Sequence, residues 1–335
     1  MKILYVPITK KIKENNFVNS IKCLLYDIYT ILKNFSFNRK VTKNTSGYIE
    51  SAMYTNAKIF ELPYSYCIVF SSILNLIFDG IFINWKFTND RNDKDLNQKL
   101  IKLSQKYRIK KVIIDSRDVG SDKINDEVIS GFDYVIKREK NKSILNKKYL
   151  TTMLPCTLVN YKIYKNKEII NWDRIGKAEI NKNTKYDIFF SGKETSKYRN
   201  EIVELFKKRE YNFYGGLENS ILPYHEYLET IYKSSINLAL EGKGEFTFRH
   251  LEILANCSFM MCENSINQIE LPLPIKDGEH FVSFKDNNDL MNKIDFYLKN
   301  EKERNIIALQ GRKLLEQHYS PINHGKRVFN QIFSS

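Results

Sequence analysis

Short apolar runs alternate along the chain with longer stretches of helical spacing. Lys2–Pro7 has the length and apolar character of a buried strand, whereas Phe17–Lys33 repeats apolar residues at intervals of three and four. The same alternation predicts strands over 81–85, 111–115 and 132–136, with an amphipathic helix over 95–107. Strands and helices in this order are typical of a parallel α/β sheet.

A second α/β series begins at Tyr186, after a less regular stretch over residues 141–185 that we interpret as an inter-domain linker. Its strands are predicted over 186–190, 211–214, 235–240 and 258–262, and its longest helix over 301–318. We therefore predict the α/β class, with two doubly wound Rossmann-like domains facing a cleft. The expected bounds are 1–165 and 180–318, with a C-terminal helix over 319–335 that can cross back to the first domain.

Several classes of protein are excluded by local patterns. The longest apolar region, Tyr64–Ile83, contains Asn75 and Asp79, which favours a core helix followed by a strand over a membrane span. The first residues are apolar over too short a run for a signal peptide. Five cysteines without a C-x-x-C pair argue against structural zinc and for a reducing compartment. We expect a cytoplasmic protein, soluble or peripheral on the inner face of the cytoplasmic membrane.

The charge of the chain is unevenly distributed. The formal net charge is +14, and residues 1–180 hold 32 basic and 18 acidic side chains, whereas the remaining residues hold 21 of each. An excess of this size favours contact with an anionic partner. Because the excess lies in the first half, we expect that half to meet an anionic acceptor or an anionic membrane surface.

Glycines follow three predicted strands of the second half. They are Gly192, Gly215 and the pair Gly242 and Gly244. Glycine lets a phosphate approach the backbone, and the next helix offers free N–H groups at its first turn. Neither a G-x-G-x-x-G motif nor a P-loop motif is present, so the dinucleotide-binding interpretation is weak.

The stretch 237–252 carries the most chemistry. A buried strand leads through the glycine loop into a helix whose first turns hold Arg249, His250 and Glu252. Arginine suits bidentate phosphate binding, and glutamate accepts hydrogen bonds from vicinal hydroxyls such as those of ribose. The alternatives are a solvated charged helix face and, for His250, an ordinary histidine on that face.

The block from Tyr227 to Pro321 resembles the C-terminal half of GT-B glycosyltransferases, in the group 1 branch that includes spore-maturation-protein-like transferases. The Arg249-x-x-Glu252 pattern, Asp277-Gly278 and the run from Glu301 to Gly311 carry the resemblance. It implies a nucleotide-sugar co-substrate and no metal or other cofactor. It also implies that Glu252 binds the ribose and Arg249 faces the diphosphate. The expected nucleotide-sugar-binding residues are Gly192, Lys193, Arg199, Gly215, Gly242, Gly244, Arg249, His250 and Glu252.

One departure from the family pattern concerns the two glutamates. Retaining members have seven residues between them, whereas six separate Glu245 from Glu252. The stereochemical outcome therefore stays open. An inverting enzyme needs a base in its acceptor domain, for which Asp115 and Asp118 are the candidates.

The residues beside these candidates define the expected acceptor region. Arg117, Arg138 and Glu139 would border the cleft. The alternative for Asp115 is that it caps the following segment, and for Asp118 that it pairs with Arg117.

The leading hypothesis is transfer of a sugar from a nucleotide-sugar to a surface polysaccharide, lipopolysaccharide or other glycoconjugate, without nucleic acid as a partner. Three alternatives remain: a nucleotide-sugar epimerase, a non-catalytic scaffold with the same fold, and a nucleic-acid-binding protein. The last rests on a sequence pI of about 9.3 and on the lysines of the segment 137–148.

Overall fold

The computed structural model describes residues 1–8, 58–62, 64–85, 94–115, 123–152, 160–164, 167–171, 179–218 and 221–334. The helix predicted over Phe17–Lys33 and the candidates Arg117 and Asp118 lie outside these ranges. The chain divides into two compact units. The first comprises residues 1–153, 162–168 and 320–335, and the second comprises residues 154–161 and 169–319.

The first unit is built on a six-stranded sheet whose strands are all parallel. The strands of this unit are β1 Lys2–Ile8, β2 Lys58–Glu61, β3 Gly80–Trp85, β4 Lys110–Asp115, β5 Tyr134–Lys137, β6 Lys140–Asn141 and β7 Tyr149–Thr151. Their order in the sheet is β2-β1-β3-β4-β5-β7. Among the described residues, the helices between these strands are α1 Tyr64–Val69, α2 Ser71–Ile77, α3 Lys94–Lys106 and α4 Asp126–Ser130.

The C-terminal helix belongs to the first unit. Helix α10, Pro321–Phe333, begins after Ser320, whose hydroxyl accepts a hydrogen bond from the amide of Asn323. Its apolar face packs on the sheet, where the Phe329 ring centroid lies 5.7 Å from that of Phe82. Burial of this face against β3 and its neighbours holds the helix on the sheet.

The expected linker over residues 141–185 contains regular structure, whereas the helix and strand expected over Tyr64–Ile83 are confirmed. Tyr149–Thr151, inside the stretch interpreted as a linker, is the edge strand β7 and pairs in parallel with β5. Three residues carry too little periodicity to be recognised as a strand. Tyr64–Ile83 forms α1, α2 and most of β3, as predicted, and no helix among the described residues is long and apolar enough to span a membrane.

The second unit contains a five-stranded parallel sheet in the order β11-β10-β12-β13-β15. The strands from the unit boundary onward are β8 Asn160–Tyr164, β9 Lys167–Asn171, β10 Tyr186–Gly192, β11 Phe213–Leu217, β12 Ser234–Ala239, β13 Met260–Glu263, β14 Ile269–Glu270 and β15 Val282–Phe284. The helices are α5 Lys197–Lys207, α6 Tyr224–Tyr232, α7 Phe248–Ala255, α8 Asn287–Lys299 and α9 Glu301–His318, with a 3-10 turn over Asn264–Gln268. Two parallel α/β sheets confirm the predicted fold class.

The strand order locates the place where a ligand would bind. Numbered within this sheet alone, the strand order is 2-1-3-4-5. From β10 the chain first adds a strand on one side, β11, and then continues on the other side with β12, so the switch point lies between β10 and β12. In doubly wound sheets the crevice for a ligand lies beyond the carboxyl ends of the strands at this switch point. The segments after Gly192 and after Ala239 are therefore the first to inspect.

Candidate functional site

Helix α7, which follows β12 at the switch point, is fixed by packing and by a hydrogen bond at its last turn. Every residue of β12 is buried, and so are Leu251, Ile253 and Leu254 on the helix that follows it. At the far end, an Nη of Arg312 on α9 donates to the carbonyl of Ala255. Since its core face and its last turn are both fixed, the helix presents its first turn in a defined position.

His250 caps the start of this helix. Its Nδ1 accepts a hydrogen bond from the amide of Thr247 at 3.0 Å, and its ring stacks on Phe246 at 4.8 Å between centroids. Burial, helped by the charge of Arg249, lowers the pKa of His250 to about 3. The imidazole is therefore neutral at physiological pH and serves the helix N-terminus, a task that the sequence did not distinguish from substrate contact.

Arg249 projects across the end of β10. Its guanidinium lies over the ring of Phe190 at 4.5 Å from the centroid, and one Nη donates to the carbonyl of Ser191. Its buried Nε has no hydrogen-bond partner among the described residues. A cation with an unused donor beside a helix N-terminus is suited to binding an anion.

Arg199 has a different arrangement from Arg249. It donates to three backbone carbonyls, those of Glu241 at 2.6 Å, Lys193 at 2.8 Å and Leu240 at 2.9 Å. Burial and the nearby Arg249 lower its pKa to about 10, which leaves it charged at neutral pH. Arg199 therefore joins the loop after β10 to the loop after β12.

Two of the predicted glycines lie against these guanidinium groups. A Cβ on Gly192 would stand 2.7 Å from an Nη of Arg249, and one on Gly242 would stand 3.4 Å from an Nη of Arg199. Gly215 differs, because its φ is +109° and a Cβ would lie 1.9 Å from the carbonyl oxygen of Phe190. Gly192 therefore leaves room for Arg249, whereas a Cβ on Gly242 would be at ordinary contact distance from Arg199. Gly215 is required by the backbone itself.

The remaining loop residues predicted to bind the nucleotide-sugar also lie at this edge. Lys193, directly after β10, is exposed, and the carbonyl of buried Gly244 accepts a hydrogen bond from the amide of Gly242 at 3.0 Å. This bond closes the loop between β12 and α7.

Glu252 faces two tyrosines of α6. Its Oε1 accepts from the hydroxyl of Tyr224 at 3.1 Å, and its Oε2 accepts from that of Tyr227 at 3.0 Å. The carboxylate is 7% exposed, while the ring of Tyr224 is half exposed. Sequence reasoning missed both tyrosines, although their spacing of three residues at the start of a helix places them on one face.

Sequence reasoning also missed a pair of acidic residues beside Arg199. Glu263, at the end of β13, accepts from the amide of Glu241 through its Oε2 at 2.5 Å. Burial and the charge of Glu263 raise the pKa of Glu241 to about 7, and burial also raises that of Glu263. The neighbourhood of the arginines thus contains a carboxyl group that titrates near neutrality.

In the first unit, Asp115 ends β4 and is completely buried. Its Oδ2 lies 3.4 Å from Nζ of Lys137, which is equally buried at the end of β5. Lys137 therefore cannot contribute to a surface that binds anions, contrary to the expectation for the segment 137–148. Lys148 of the same segment donates to the carbonyls of Ile129 and Phe132 at 3.0 and 2.6 Å.

Arg138 and Glu139 pair with each other. The distance from an Nη of Arg138 to Oε1 of Glu139 is 3.3 Å, and the glutamate side chain is fully buried. The structure thus brings the predicted nucleotide-binding residues together at one edge of the second sheet. It places the described acceptor candidates Asp115, Arg138 and Glu139 at the ends of β4 and β5. No group of three or more metal-ligating side chains occurs within the described ranges.

Comparison with known proteins gives three results. Residues 184–328 match the model of a family described as glycosyl transferase-like. No curated protein sequence matches the chain. A solved alpha-glucosyltransferase in complex with UDP and mismatch-containing DNA is similar over 99% of both chains, with 11% identity and a TM-score of 0.55. Anabaena HepE in complex with UDP and glucose is similar over 100% of both chains, with 9% identity and a TM-score of 0.53.

The solved structures confirm the predicted GT-B fold. The family match agrees with the predicted glycosyltransferase class over residues 184–328. The family match covers the second unit from residue 184 onward, and it includes the two arginines, the strand-end glycines and Glu252. The narrower resemblance to spore-maturation-protein-like transferases stays a prediction.

Proposed function

We propose that this chain, a glycosyltransferase of the GT-B fold, takes its sugar from a UDP-sugar bound at the switch point between β10 and β12. The observation that carries the proposal is Arg249, whose guanidinium lies beside a helix N-terminus with its Nε unpartnered among the described residues. The alpha-glucosyltransferase and HepE structures with the same fold contain UDP. UDP is therefore the first nucleotide to test.

Each part of the nucleotide would meet a group suited to it. Glu252, which accepts from the hydroxyls of Tyr224 and Tyr227, would accept hydrogen bonds from the ribose hydroxyls through its carboxylate oxygens. Arg249 and the positive end of the α7 dipole would bind the diphosphate. Arg199, which holds the two loops by their carbonyls, would act as a positioning residue.

The reaction needs charge stabilisation at the leaving group. As the bond between the anomeric carbon and the diphosphate oxygen breaks, negative charge develops on UDP. A fixed guanidinium and helix amides stabilise this charge without reorganisation. We accordingly propose a metal-independent transfer, which would take place in the cytoplasm.

For the acceptor, we propose an anionic surface polysaccharide, lipopolysaccharide or related glycoconjugate that docks on the first half of the chain. The supporting observation is the excess of 14 basic over acidic residues within residues 1–180. DNA is the second candidate, since solved alpha-glucosyltransferases of this fold are in complex with DNA.

A nucleotide screen tests the donor proposal. We expect UDP and UDP-sugars to raise the melting temperature of the protein, and GDP, ADP, dTDP and CMP to raise it less. The same screen on Arg249→Ala should show a clearly smaller UDP shift, whereas Arg209→Ala, at an exposed position of the same unit, should behave as wild type. Stabilisation by another nucleotide in preference to UDP would refute the donor assignment.

A transfer assay tests the acceptor proposal. The protein is incubated with radiolabelled UDP-sugars and either lipid-linked glycans or duplex DNA, and the label in each acceptor is counted. Label in the glycan fraction alone supports the proposal. Label in DNA alone would establish the alternative, and binding of UDP without any transfer would favour the non-catalytic scaffold.

A further inference from the structure

The helix pair α1–α2 carries an exposed apolar surface. Val69, Phe70, Ile73, Leu76 and Ile77 are 73%, 47%, 58%, 88% and 46% exposed, respectively. Their separations of three and four residues place them on one side of the helical segment. Five large apolar side chains on one short segment form a contiguous patch, and such patches mark contact surfaces.

The opposite side of this segment is tightly packed, so the exposure does not result from a loosely attached helix. Cys67 and Leu74 are buried in the core of the first unit. The hydroxyl of Tyr107 donates to the carbonyl of Cys67 at 2.7 Å, which ties α1 to the residue after α3. The apolar patch is thus presented by a fixed element.

A group of basic residues, here called the basic rim, lies beside α2. On α2, the side chain of Asn75 donates to the carbonyl of Lys106 at 2.8 Å and accepts from the amide of Arg108 at 2.8 Å. These two cationic residues are exposed, as is Lys102 one helical turn earlier. From Lys94 to Lys111 the sequence holds seven basic residues and a single acidic one.

We propose that the patch and its basic rim form a docking surface for an anionic lipid bilayer. Apolar side chains would enter the boundary between head groups and acyl chains, while the lysines and arginine would contact lipid phosphates. The charge favours this occupant over an apolar protein partner, because a predominantly basic rim matches a surface that is uniformly anionic. This inference goes beyond the proposed transfer reaction and does not depend on it.

Sedimentation with vesicles tests the proposal. We expect the full chain to sediment with vesicles of mixed phosphatidylcholine and phosphatidylglycerol and to stay in solution with phosphatidylcholine alone. Leu76→Asp should weaken binding to the mixed vesicles by about tenfold or more, since it removes a large apolar contact. Leu145→Asp is the matched control, because Leu145 is 87% exposed in the same unit but lies outside the patch.

A second variant tests the basic rim. Lys106→Ala combined with Arg108→Ala should lower binding by roughly tenfold or more, since each charge near an anionic surface contributes to partitioning. Vesicle binding that is absent in wild type, or equal in Leu76→Asp and wild type, would overturn the proposal. So would a stable dimer that Leu76→Asp dissociates, because the occupant would then be a second copy.

UDP binding, measured on the same samples, keeps the two proposals separable. A chain that binds UDP but not vesicles refutes the docking surface alone. A chain that binds vesicles but not UDP refutes the proposed function alone.

Discussion

The residues at the carboxyl ends of the central strands differ between the two sheets. In the first, β4 and β5 end in Asp115 and Lys137, which are fully buried and 3.4 Å apart. In the second, β10 and the loop after β12 provide glycines, beside which Arg249 retains an unpartnered Nε within the described structure. Charge that is satisfied inside the protein supports the fold, whereas charge with unused donors is available to a ligand.

Of the substitutions considered, breaking the ion pair between Asp115 and Lys137 should have the largest effect, a loss of folding stability. Asp115→Ala leaves the Lys137 ammonium buried without its counterion, and we expect the protein to lose about 3–5 kcal/mol of stability. Urea denaturation followed by circular dichroism measures this loss. Asp115→Leu combined with Lys137→Met should restore most of it. A single variant as stable as wild type would show that the pair does not support the first sheet.

Gly192→Ala tests the proposed UDP site at the switch point of the second sheet. The new methyl group would occupy space 2.7 Å from an Nη of Arg249, so the guanidinium must move. We expect UDP affinity to fall about tenfold, or roughly 1.4 kcal/mol, with little change in melting temperature. In an Arg249→Ala background the same substitution should have no further effect on affinity. Independent, additive losses would contradict this coupling.

The carboxyl group of Glu241 predicts a pH dependence. Its pKa is about 7, above the ordinary value of 4.5. The native state therefore retains a proton that the unfolded state has released, and this group's contribution to stability declines as the pH rises from about 4.5 to about 7. Ionisation near pH 7 also adds negative charge beside the arginines, which should weaken UDP binding.

Calorimetry at about pH 6 and about pH 8 compares wild type with Glu241→Gln. UDP gains charge over this range, so the informative quantity is the difference between the two proteins. We expect the variant to bind UDP a few times more tightly than wild type at the higher pH, and equally at the lower one. If wild type and Glu241→Gln bound UDP equally at both pH values, Glu241 would have no influence on UDP binding.

Tyr224→Phe should have the smallest effect. It removes one hydrogen bond of 3.1 Å to Glu252, from a ring that is half exposed. At a half-exposed ring such a bond contributes about 0.5 kcal/mol, the low end of the usual range, so we expect UDP affinity to change about threefold or less. Tyr232→Phe, at the other end of α6, should leave it unchanged. A loss as large as that of Arg249→Ala would assign Tyr224 a direct role.

Much of the fold was predictable because the strands are short, apolar and separated by amphipathic helices. Strand β12 and helix α9 follow their patterns closely, and Gly192 and Gly242 stand where a parallel sheet places its ligand site. These elements and glycine positions can be predicted because they are determined by residues that are close in sequence. Strand β7 was missed because its pairing with β5 is set by packing across the first sheet.

The contacts that define the candidate site are mostly long-range. Arg249 reaches Ser191 across 58 residues, and Glu252 reaches Tyr227 across 25. The burial of Lys137 depends on the register of β4 against β5, which aligns it with Asp115. The sequence contains no local signal for that register, so a surface role was the natural prediction for this lysine.

The central claim is that Arg249 binds the phosphates and Glu252 the ribose of one nucleotide. Calorimetric titration of uridine and UDP into wild type, Arg249→Ala and Glu252→Ala tests it most directly. Arg249→Ala should reduce UDP affinity by about tenfold or more and leave uridine affinity unchanged, whereas Glu252→Ala should weaken both ligands by a similar factor. Equal affinity of all three proteins for UDP would contradict the account.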